Sequence, residues 1–175
     1  MPGDSENMFY SFNVGPVHFI SVSTEYYYFL NYGFKMLVKQ YNWLVADLEE
    51  AAKPENRAKQ PWIVLVGHRP MYCTTKDKDD CSKRTTFTRV GLPPHGLFGM
   101  EELLMRFNVD LAIWAHEHDY ERFWPMYDYK VLNGSLEQPY VNPRGPVQLI
   151  TGSAVRHLFD ILHEMFSDFC CVKEL

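Results

Sequence analysis

The sequence has little cysteine, no long apolar run and no excess of positive charge, and each absence excludes a class of protein. Its 17 Lys and Arg residues stand against 22 Asp and Glu residues, a formal net charge of -5, so no basic surface that could follow a nucleic-acid backbone is expected. No apolar run reaches the roughly 18 residues that span a bilayer. The first residues, MPGDSENMFYSF, have neither the basic start nor the apolar core of a signal peptide. We therefore expect no nucleic-acid partner, no membrane span and no export signal in this chain.

Two common catalytic motifs are also missing. A serine-hydrolase elbow would read G-x-S-x-G and a nucleotide-binding loop G-x-x-x-x-G-K-[ST], and neither occurs. The four cysteines are Cys73, Cys81, Cys170 and Cys171, and they form no C-x-x-C pair of the kind found in zinc ribbons and redox motifs. The sequence therefore gives no sign of a covalent nucleophile or of chemistry centred on cysteine.

The composition is that of a globular domain with one core, since 46% of the 175 residues are hydrophobic and 22% are charged. Helical spacing of apolar residues predicts a helix over 32–52, and alternation around Gly15-Pro16 predicts two strands over 9–23. Short apolar runs predict strands covered on both faces at 62–66, 109–115 and 147–151, with a helix at 99–107. Strands that alternate with helices indicate an α/β domain with helices outside its sheet.

Histidines follow two of these predicted strands at the point where each strand ends. His68 comes after the strand at 62–66, and His116 after the strand at 109–115, with His118 completing an H-x-H pair. Because ligands gather at the carboxyl ends of strands in open α/β sheets, these side chains can converge. Each motif alone fits hydrogen-bonded surface histidines as well. Together they predict a metal site, because neutral imidazole is the commonest nitrogen ligand for zinc and iron. The chemistry expected there is metal-assisted hydrolysis of a phosphoester.

The other histidines lack this placement. His18 and His95 are interpreted as structural residues. His157 and His163 lie in the last segment, 155–175, where apolar residues fall on one face of a single predicted helix, and they are interpreted as surface residues. For Tyr120, Glu121 and Arg122, which follow the H-x-H pair, a structural role is preferred to one in orienting its histidines.

Two further features agree with an exported protein. Cys73 and Cys81 bracket the polar stretch TTKDKDD, a loop that one disulfide could close in an oxidising compartment. Two free thiols are an equally open alternative. Asn133, followed by Gly134 and Ser135, fits the N-glycosylation pattern, which also arises by chance.

Several segments together are similar to one known family. They are QYNWLVADLEEA, PENRAKQPWIVLVGHRPMYC, KDDC, VDLAIWAHEHDYERFWP and NPRGPVQLITGSA. On these motifs, from about Tyr10 to Ala154, the chain resembles the purple acid phosphatases, in particular the animal type. The resemblance implies a calcineurin-like metallophosphoesterase, a four-layer α/β/β/α sandwich. It also implies hydrolysis of small phosphomonoesters at acidic pH by a hydroxide held on a dinuclear metal centre.

The resemblance also implies roles for individual residues. His68 and His116 match two histidines on the family's divalent ion, which is zinc, manganese or iron(II), and His118 matches the histidine on its iron(III). Arg69 and Tyr72 are candidates for contacting the substrate phosphate, with packing and surface charge as the open alternative. The family is secreted or enters the secretory pathway, and there we expect the two cysteines of the polar loop to be bonded.

The chain departs from the family pattern at both ends. The family's early aspartate and its G-D-x-x-Y and G-N-H-E motifs are absent, so the three histidines are what remains of its ligand set. We therefore predict that 1–154 form the C-terminal half of the catalytic domain, with the N-terminal half missing, and that 155–175 are a divergent helical tail. The alternative function is that of a truncated, catalytically impaired form that binds a divalent ion weakly at most.

Overall fold

The computed structural model describes residues 8–75, 80–132 and 134–152, and these fold around one mixed sheet. The strands are β1 Tyr10–Val14, β2 Val17–Ser21, β3 Trp62–Val66, β4 Leu111–Trp114, β5 Tyr120–Arg122, β6 Met126–Tyr127, β7 Lys130–Val131 and β8 Val147–Thr151. The helices are α1 Leu30–Ala51, α2 Pro54–Arg57, α3 Phe87–Val90 and α4 Glu101–Arg106, with 3-10 turns at Thr24–Tyr27 and Asp80–Ser82. The predicted α/β class is confirmed.

The sheet brings four strand ends to one edge. Its six strands have the order β1-β2-β3-β4-β8-β5, while β6 and β7 form a separate ribbon. Strands β2, β3, β4 and β8 are parallel to one another, and β1 and β5 pair antiparallel at the two sides. The loops that follow the four parallel strands therefore leave from the same edge, called the carboxyl edge below.

Helix α1 covers one face of the sheet. Leu37, Leu44 and Leu48 recur at helical spacing and are almost completely buried. They share one core with Ile20 of β2 and Leu65 of β3. Burying a leucine side chain stabilises a fold by about 1.5–3 kcal/mol, so these contacts fix the helix on the sheet. The helix predicted over 32–52 is confirmed, with a start two residues earlier.

The second face of the sheet, called the open face below, is partly exposed and is defined by Tyr10, Phe12, Phe19, Trp62 and Val66. Trp62 and Val66 are 55% and 37% exposed, and Phe12 is 47% exposed. The ring of Phe12 stacks on those of Tyr10 and Phe19, with centroids 6.0 and 5.4 Å apart. The prediction that the strand at 62–66 is covered on both faces is therefore confirmed at the strand's centre, Ile63 to Leu65, and wrong at its two ends. An apolar run shows what a face can pack against, and it does not show that a covering layer is present.

Among the described helices, α1 included, none has the length and apolarity that crossing a membrane requires. Several predictions concern residues outside the described ranges. They are the tail helix at 155–175 with its histidines and cysteines, the domain boundary at 154 and the glycosylation site at Asn133.

Candidate metal centre

Two histidines meet at the carboxyl edge. His68 follows β3 and His116 follows β4, and these strands are neighbours in the sheet. His116 Nδ1 lies 3.0 Å from His68 Nε2, and the two rings meet edge to face with centroids 4.9 Å apart. Two nitrogens that bind one tetrahedral ion through bonds of about 2.0–2.1 Å lie about 3.3 Å from each other. The pair therefore has nearly the separation that a single divalent ion requires.

The backbone at both histidines is tightly constrained. Ala115 N donates a hydrogen bond of 2.9 Å to His68 O, which extends the β3–β4 ladder beyond the strand ends. A Cβ atom at Gly67 would lie 2.5 Å from a ring carbon of Trp114, so glycine is required before His68. His116 has a φ of 64°, a left-handed conformation that costs a residue with a Cβ atom roughly 1–2 kcal/mol. Strain of this kind is concentrated at functional sites.

The protonation of His68 suits metal binding. Its burial lowers the pKa of the His68 imidazole, and the neighbouring His116 lowers it further. The neutral imidazole is the form that offers a lone pair to a metal ion.

Arg69 lies beside the histidine pair, with its Nη1 3.3 Å from His116 Nε2. Its guanidinium forms ion pairs with Glu25, at 2.8 Å, and with Asp80, at 2.6 Å. It also lies over the ring of Tyr28, 4.6 Å from the ring centroid. Burial lowers the pKa of Arg69, but the two carboxylates outweigh it and raise the pKa overall. Arg69 is therefore a fixed positive charge next to the histidines.

Tyr72, the other candidate for contacting substrate, lies in the core. It is 1% exposed, and its ring packs against those of Tyr129 and Phe123, with centroids 5.0 and 6.4 Å away. Its hydroxyl has no hydrogen-bond partner in the described part of the chain. Because a side chain enclosed in this way has no access to a bound phosphate, the structure favours the packing alternative for Tyr72.

The loop after His68 is tied to the H-x-H turn by side-chain hydrogen bonds. Thr75 Oγ1 donates to Glu117 Oε2 at 2.7 Å. Thr74 donates to the Glu121 carboxylate from its backbone nitrogen at 3.0 Å and from its hydroxyl at 2.8 Å. Glu121 therefore holds the loop to the turn, in keeping with the structural role expected of it.

A disulfide and a glycine hold the same region from two sides. Cys73 and Cys81 are joined by a disulfide that closes the polar loop. Gly152, just after β8, donates its backbone N–H to Asp119 O at 3.1 Å, and a Cβ atom there would lie 1.9 Å from Glu117 O. The H-x-H turn, residues 116–118, therefore packs closely against the end of β8 and is hydrogen-bonded to the loop that the disulfide closes.

Comparison with known proteins identifies the family. Residues 4–120, about two thirds of the chain, match the family model described as calcineurin-like phosphoesterase. The chain belongs to the calcineurin-like phosphoesterases. The resemblance to this family that the sequence motifs indicated is thereby confirmed.

Within the family, the chain is similar to acid phosphatases. It is 58% identical over 159 residues to acid phosphatase type 7 of Danio rerio, which covers 88% of this chain and 35% of that protein. It is 54% identical over 154 residues to acid phosphatase type 7 of Homo sapiens, with 88% and 34% covered. Its fold resembles that of a purple acid phosphatase from yellow lupin (Lupinus luteus) seeds, with a TM-score of 0.61 at 22% identity, over 87% of this chain and 24% of that one. The chain spans about a third of the length of these curated relatives.

Membership in this family implies a dinuclear metal centre, and the described residues fit one ion of it. His68 and His116 converge, whereas His118 is exposed. In the described ranges, one set of three potential ligands has all its donor atoms within 4.8 Å of one another, namely Cys73, Cys81 and Glu117. The three histidines do not form such a set. A second ion would need ligands beyond those that this calcineurin-like phosphoesterase chain brings together here.

Some residues at the carboxyl edge were missed by sequence reasoning. Thr24 Oγ1 accepts a hydrogen bond of 2.6 Å from the backbone nitrogen of Arg69, and Glu25 and Asp80 hold the Arg69 side chain. Thr24 and Glu25 follow the end of β2 at Ser21, so the rule that ligands gather after strand ends would have located them. Asp80 belongs to the KDDC motif, in which the sequence predicted a role for the adjacent cysteine, Cys81, and none for Asp80.

A cleft of about 430 Å³ lies elsewhere on this phosphoesterase chain, and the three histidines are not among the residues that line it. Arg89, Glu101 and Asp128 contribute charges of both signs to its wall. Arg89 Nη1 donates to Glu101 Oε2 at 2.5 Å and lies 3.4 Å from Asp128 Oδ1. Arg89 thus pairs with both carboxylates, and the histidine pair remains the candidate site for chemistry.

Proposed function

We propose that this chain carries the two-histidine part of a metallophosphoesterase active site and acts in metal-dependent hydrolysis of phosphomonoesters. The observation that supports the proposal is the 3.0 Å approach of His116 Nδ1 to His68 Nε2. Membership in the calcineurin-like phosphoesterases supplies the reaction class, and the similarity to proteins named acid phosphatase supplies the ester and the acidic conditions.

In this proposal His68 and His116 bind one divalent ion, which is zinc, manganese or iron(II). Such an ion, when bound, lowers the pKa of water and neutralises charge on a substrate oxygen. Arg69 offsets the charge of the phosphate, and its ion pairs with Glu25 and Asp80 keep the guanidinium beside the histidines. Fixed donors of this kind stabilise the charge that develops in phosphoryl transfer. His118 is assigned to the second ion of the family, the iron(III).

A second candidate function is that of a catalytically impaired form that binds one divalent ion. It is favoured by the position of His118, which is exposed and outside the pair, and by the carboxylates nearby. A dinuclear centre needs carboxylates to balance its two cations. In the described ranges Glu25 and Asp80 bind Arg69 instead of facing the histidines as a ligand set.

Metal analysis and an activity assay separate the two candidates. The purified full chain is loaded with iron and zinc, its bound metal is counted, and hydrolysis of a chromogenic phosphomonoester is measured at acidic pH. Two ions per chain, with turnover near the enzyme median of about 10 per second that His116→Ala abolishes, would support the phosphatase. His95→Ala, which alters an exposed histidine, serves as the matched control. One ion or none, without turnover that depends on His116, would support the impaired form.

A further inference from the structure

A second group of potential metal ligands lies next to the H-x-H turn. Donor atoms of Cys73, Cys81 and Glu117 all lie within 4.8 Å of one another, and Cys81 Sγ is 3.2 Å from Glu117 Oε1. The group is buried, since Cys81 is 1%, Glu117 3% and Cys73 9% exposed. While the two sulfur atoms are bonded to each other, they offer the carboxylate neither a proton nor a shared cation.

We propose that reduction of the Cys73–Cys81 disulfide creates a metal site in which two thiolates and Glu117 bind one Zn²⁺ ion. A dithiol reductant supplies the two electrons and two protons that convert the disulfide into two thiols, and is itself oxidised to a disulfide. Binding of Zn²⁺ then releases the two thiol protons. The site is separate from the histidine pair and does not depend on the phosphatase proposal.

The geometry is close to what zinc requires. With Zn–S bonds of about 2.3 Å and a Zn–O bond of about 2.1 Å, a tetrahedral ion places two sulfurs about 3.8 Å apart and a sulfur about 3.6 Å from the oxygen. Cys81 Sγ and Glu117 Oε1 are already 3.2 Å apart. The Cα atoms of the two cysteines are 5.4 Å apart, so rotation of the side chains can open the sulfurs once their bond is broken. Shifts of a few tenths of an ångström at the carboxylate are then sufficient.

The carboxylate is oriented for this role. Thr75 Oγ1 donates to Glu117 Oε2 at 2.7 Å, which leaves Oε1 as the oxygen on the sulfur side. Hydrogen bonds of this kind fix the orientation of ligating carboxylates in metal sites. Two thiolates and one carboxylate also suit zinc, which combines sulfur, nitrogen and oxygen ligands in a fourfold shell whose last position a water can fill.

The site would keep the cysteine loop attached to the H-x-H turn under reducing conditions. Glu117 stands between His116 and His118, and the disulfide closes the loop whose Thr75 binds Glu117. When the disulfide is reduced, a zinc ion held by the same cysteines and by Glu117 would join the loop to the turn directly. The chain would then keep its histidine-bearing turn fixed in either redox state.

Cobalt is the probe for this site, because thiolate ligation of Co²⁺ produces a charge-transfer absorption that histidine ligation does not. The full chain carries Cys170→Ser and Cys171→Ser, so that Cys73 and Cys81 are the remaining thiols. After reduction by a dithiol and its removal without air, we expect thiolate absorption that saturates at one Co²⁺ per chain, beyond any Co²⁺ held by the histidine pair, and that Zn²⁺ removes. The oxidised chain should show none of this absorption.

Two variants make the test decisive. Glu117→Gln should weaken Co²⁺ binding by more than about tenfold, the lower limit seen for partners that only support a metal ligand. Thr75→Val should weaken it less, because Thr75 orients the carboxylate without binding the ion. Absence of thiolate absorption in the reduced chain, or unchanged affinity in Glu117→Gln, would overturn the proposal. Thiolate binding accompanied by loss of the native circular dichroism would overturn it as well, since an unfolded chain can bind cobalt through thiols alone.

Discussion

His18 lies in the sheet and the pair formed by His68 and His116 follows two of its strands, and the neighbours of the two sites differ. His18 Nε2 lies 2.9 Å from Asp47 Oδ2, and His18 Nδ1 lies 2.6 Å from Asn13 Oδ1. The nearest approach of the other two histidines joins nitrogen to nitrogen. A ring flanked by side-chain oxygens is satisfied within the protein, whereas two imidazoles that face each other are further stabilised by a cation between them. The type of partner atom, more than burial, distinguishes a structural histidine from a candidate ligand.

The two sites also occupy opposite ends of the strands. His18 lies near the amino end of β2, where Asp47 of α1 accepts hydrogen bonds from His18 and from Ser11 Oγ, the latter at 2.6 Å. This cluster joins the β1–β2 hairpin to the helix. We therefore expect changes at His18 to alter stability and changes at the histidine pair to alter metal binding, and the following predictions test that separation.

The largest effect is expected for Asp47→Ala. Leaving a buried donor without its acceptor typically destabilises a protein by about 1–3 kcal/mol for each group affected. Here both His18 and Ser11 lose an acceptor. Urea denaturation should show a decrease of this size in the free energy of unfolding, while zinc affinity at the folded histidine pair stays the same. A decrease below about 1 kcal/mol would place this cluster among ordinary surface pairs.

The same variant has a pH signature. Burial raises the pKa of Asp47, but hydrogen bonds from His18 and Ser11 outweigh it and lower the pKa below its ordinary value. A carboxyl group whose pKa is depressed by folding contributes stability above its unfolded pKa and loses that contribution as the pH falls through the folded value. The stability difference between the wild type and Asp47→Ala should therefore shrink as the pH falls below the ordinary aspartate pKa of about 3.9 and through the lower value of the folded state.

The next effect concerns metal affinity. His116→Ala removes one of two converging nitrogens, and we expect zinc binding by the oxidised chain to weaken by about 100-fold, equivalent to about 2.7 kcal/mol. Competition titration against a chromogenic chelator measures it. His95→Ala, at an exposed position, should leave the dissociation constant unchanged. Equal affinities in the two variants would show that the zinc binds elsewhere.

Gly67→Ala should have an intermediate effect on stability. The added methyl group would lie 2.5 Å from a ring carbon of the buried Trp114, and overpacking of this kind costs about 1–3 kcal/mol. Gly145→Ala is the control, because its Cβ atom would lie 3.3 Å from the flexible end of Leu132. If thermal denaturation shows the two variants to be equally stable, the packing at Gly67 does not determine where His68 lies.

The smallest effect compares glycine with alanine at two histidine positions. His116 has a left-handed backbone, so His116→Gly should be more stable than His116→Ala by about 1 kcal/mol. His18 lies inside β2, where glycine is less favourable than alanine by roughly 0.5–1 kcal/mol. His18→Gly should therefore be less stable than His18→Ala. If chemical denaturation finds the glycine variant less stable than the alanine variant at both positions, the assignment of strain to His116 is contradicted.

Strong periodic patterns were enough to predict the main elements. The strand predicted at 147–151 has those bounds in the structure, and α1 differs from its prediction by two residues at the start. The strand predicted at 109–115 is shorter, Leu111–Trp114, and backbone hydrogen bonds of Asp110 and Ala115 continue the ladder just beyond its ends. Strands β5, β6 and β7 have two or three residues each and carry no periodicity that could reveal them.

The candidate site was predictable in part for a similar reason. His68 and His116 were located from strand ends, since the topology of a parallel sheet brings those ends together. The ion pairs of Arg69 with Glu25 and Asp80 join loops after different strands, and nothing local in the sequence connects them. The left-handed conformation of His116 could not be foreseen either, because glycine or asparagine would be the usual signal for it.

The open face gives the protein an optical reporter. Trp62 on this face is 55% exposed, whereas Trp114 behind the sheet is 1% exposed, so a soluble quencher such as iodide should reach the first and spare the second. Any layer that packs on the open face would bury Trp62 and shift its fluorescence emission to shorter wavelength. If copies of the chain pair through this face, the same shift should appear as the protein concentration rises. It should be larger in salts that strengthen apolar association. A shift in the emission of Trp62, distinguished from that of the other three tryptophans, can thus report whether the sheet has acquired a second layer.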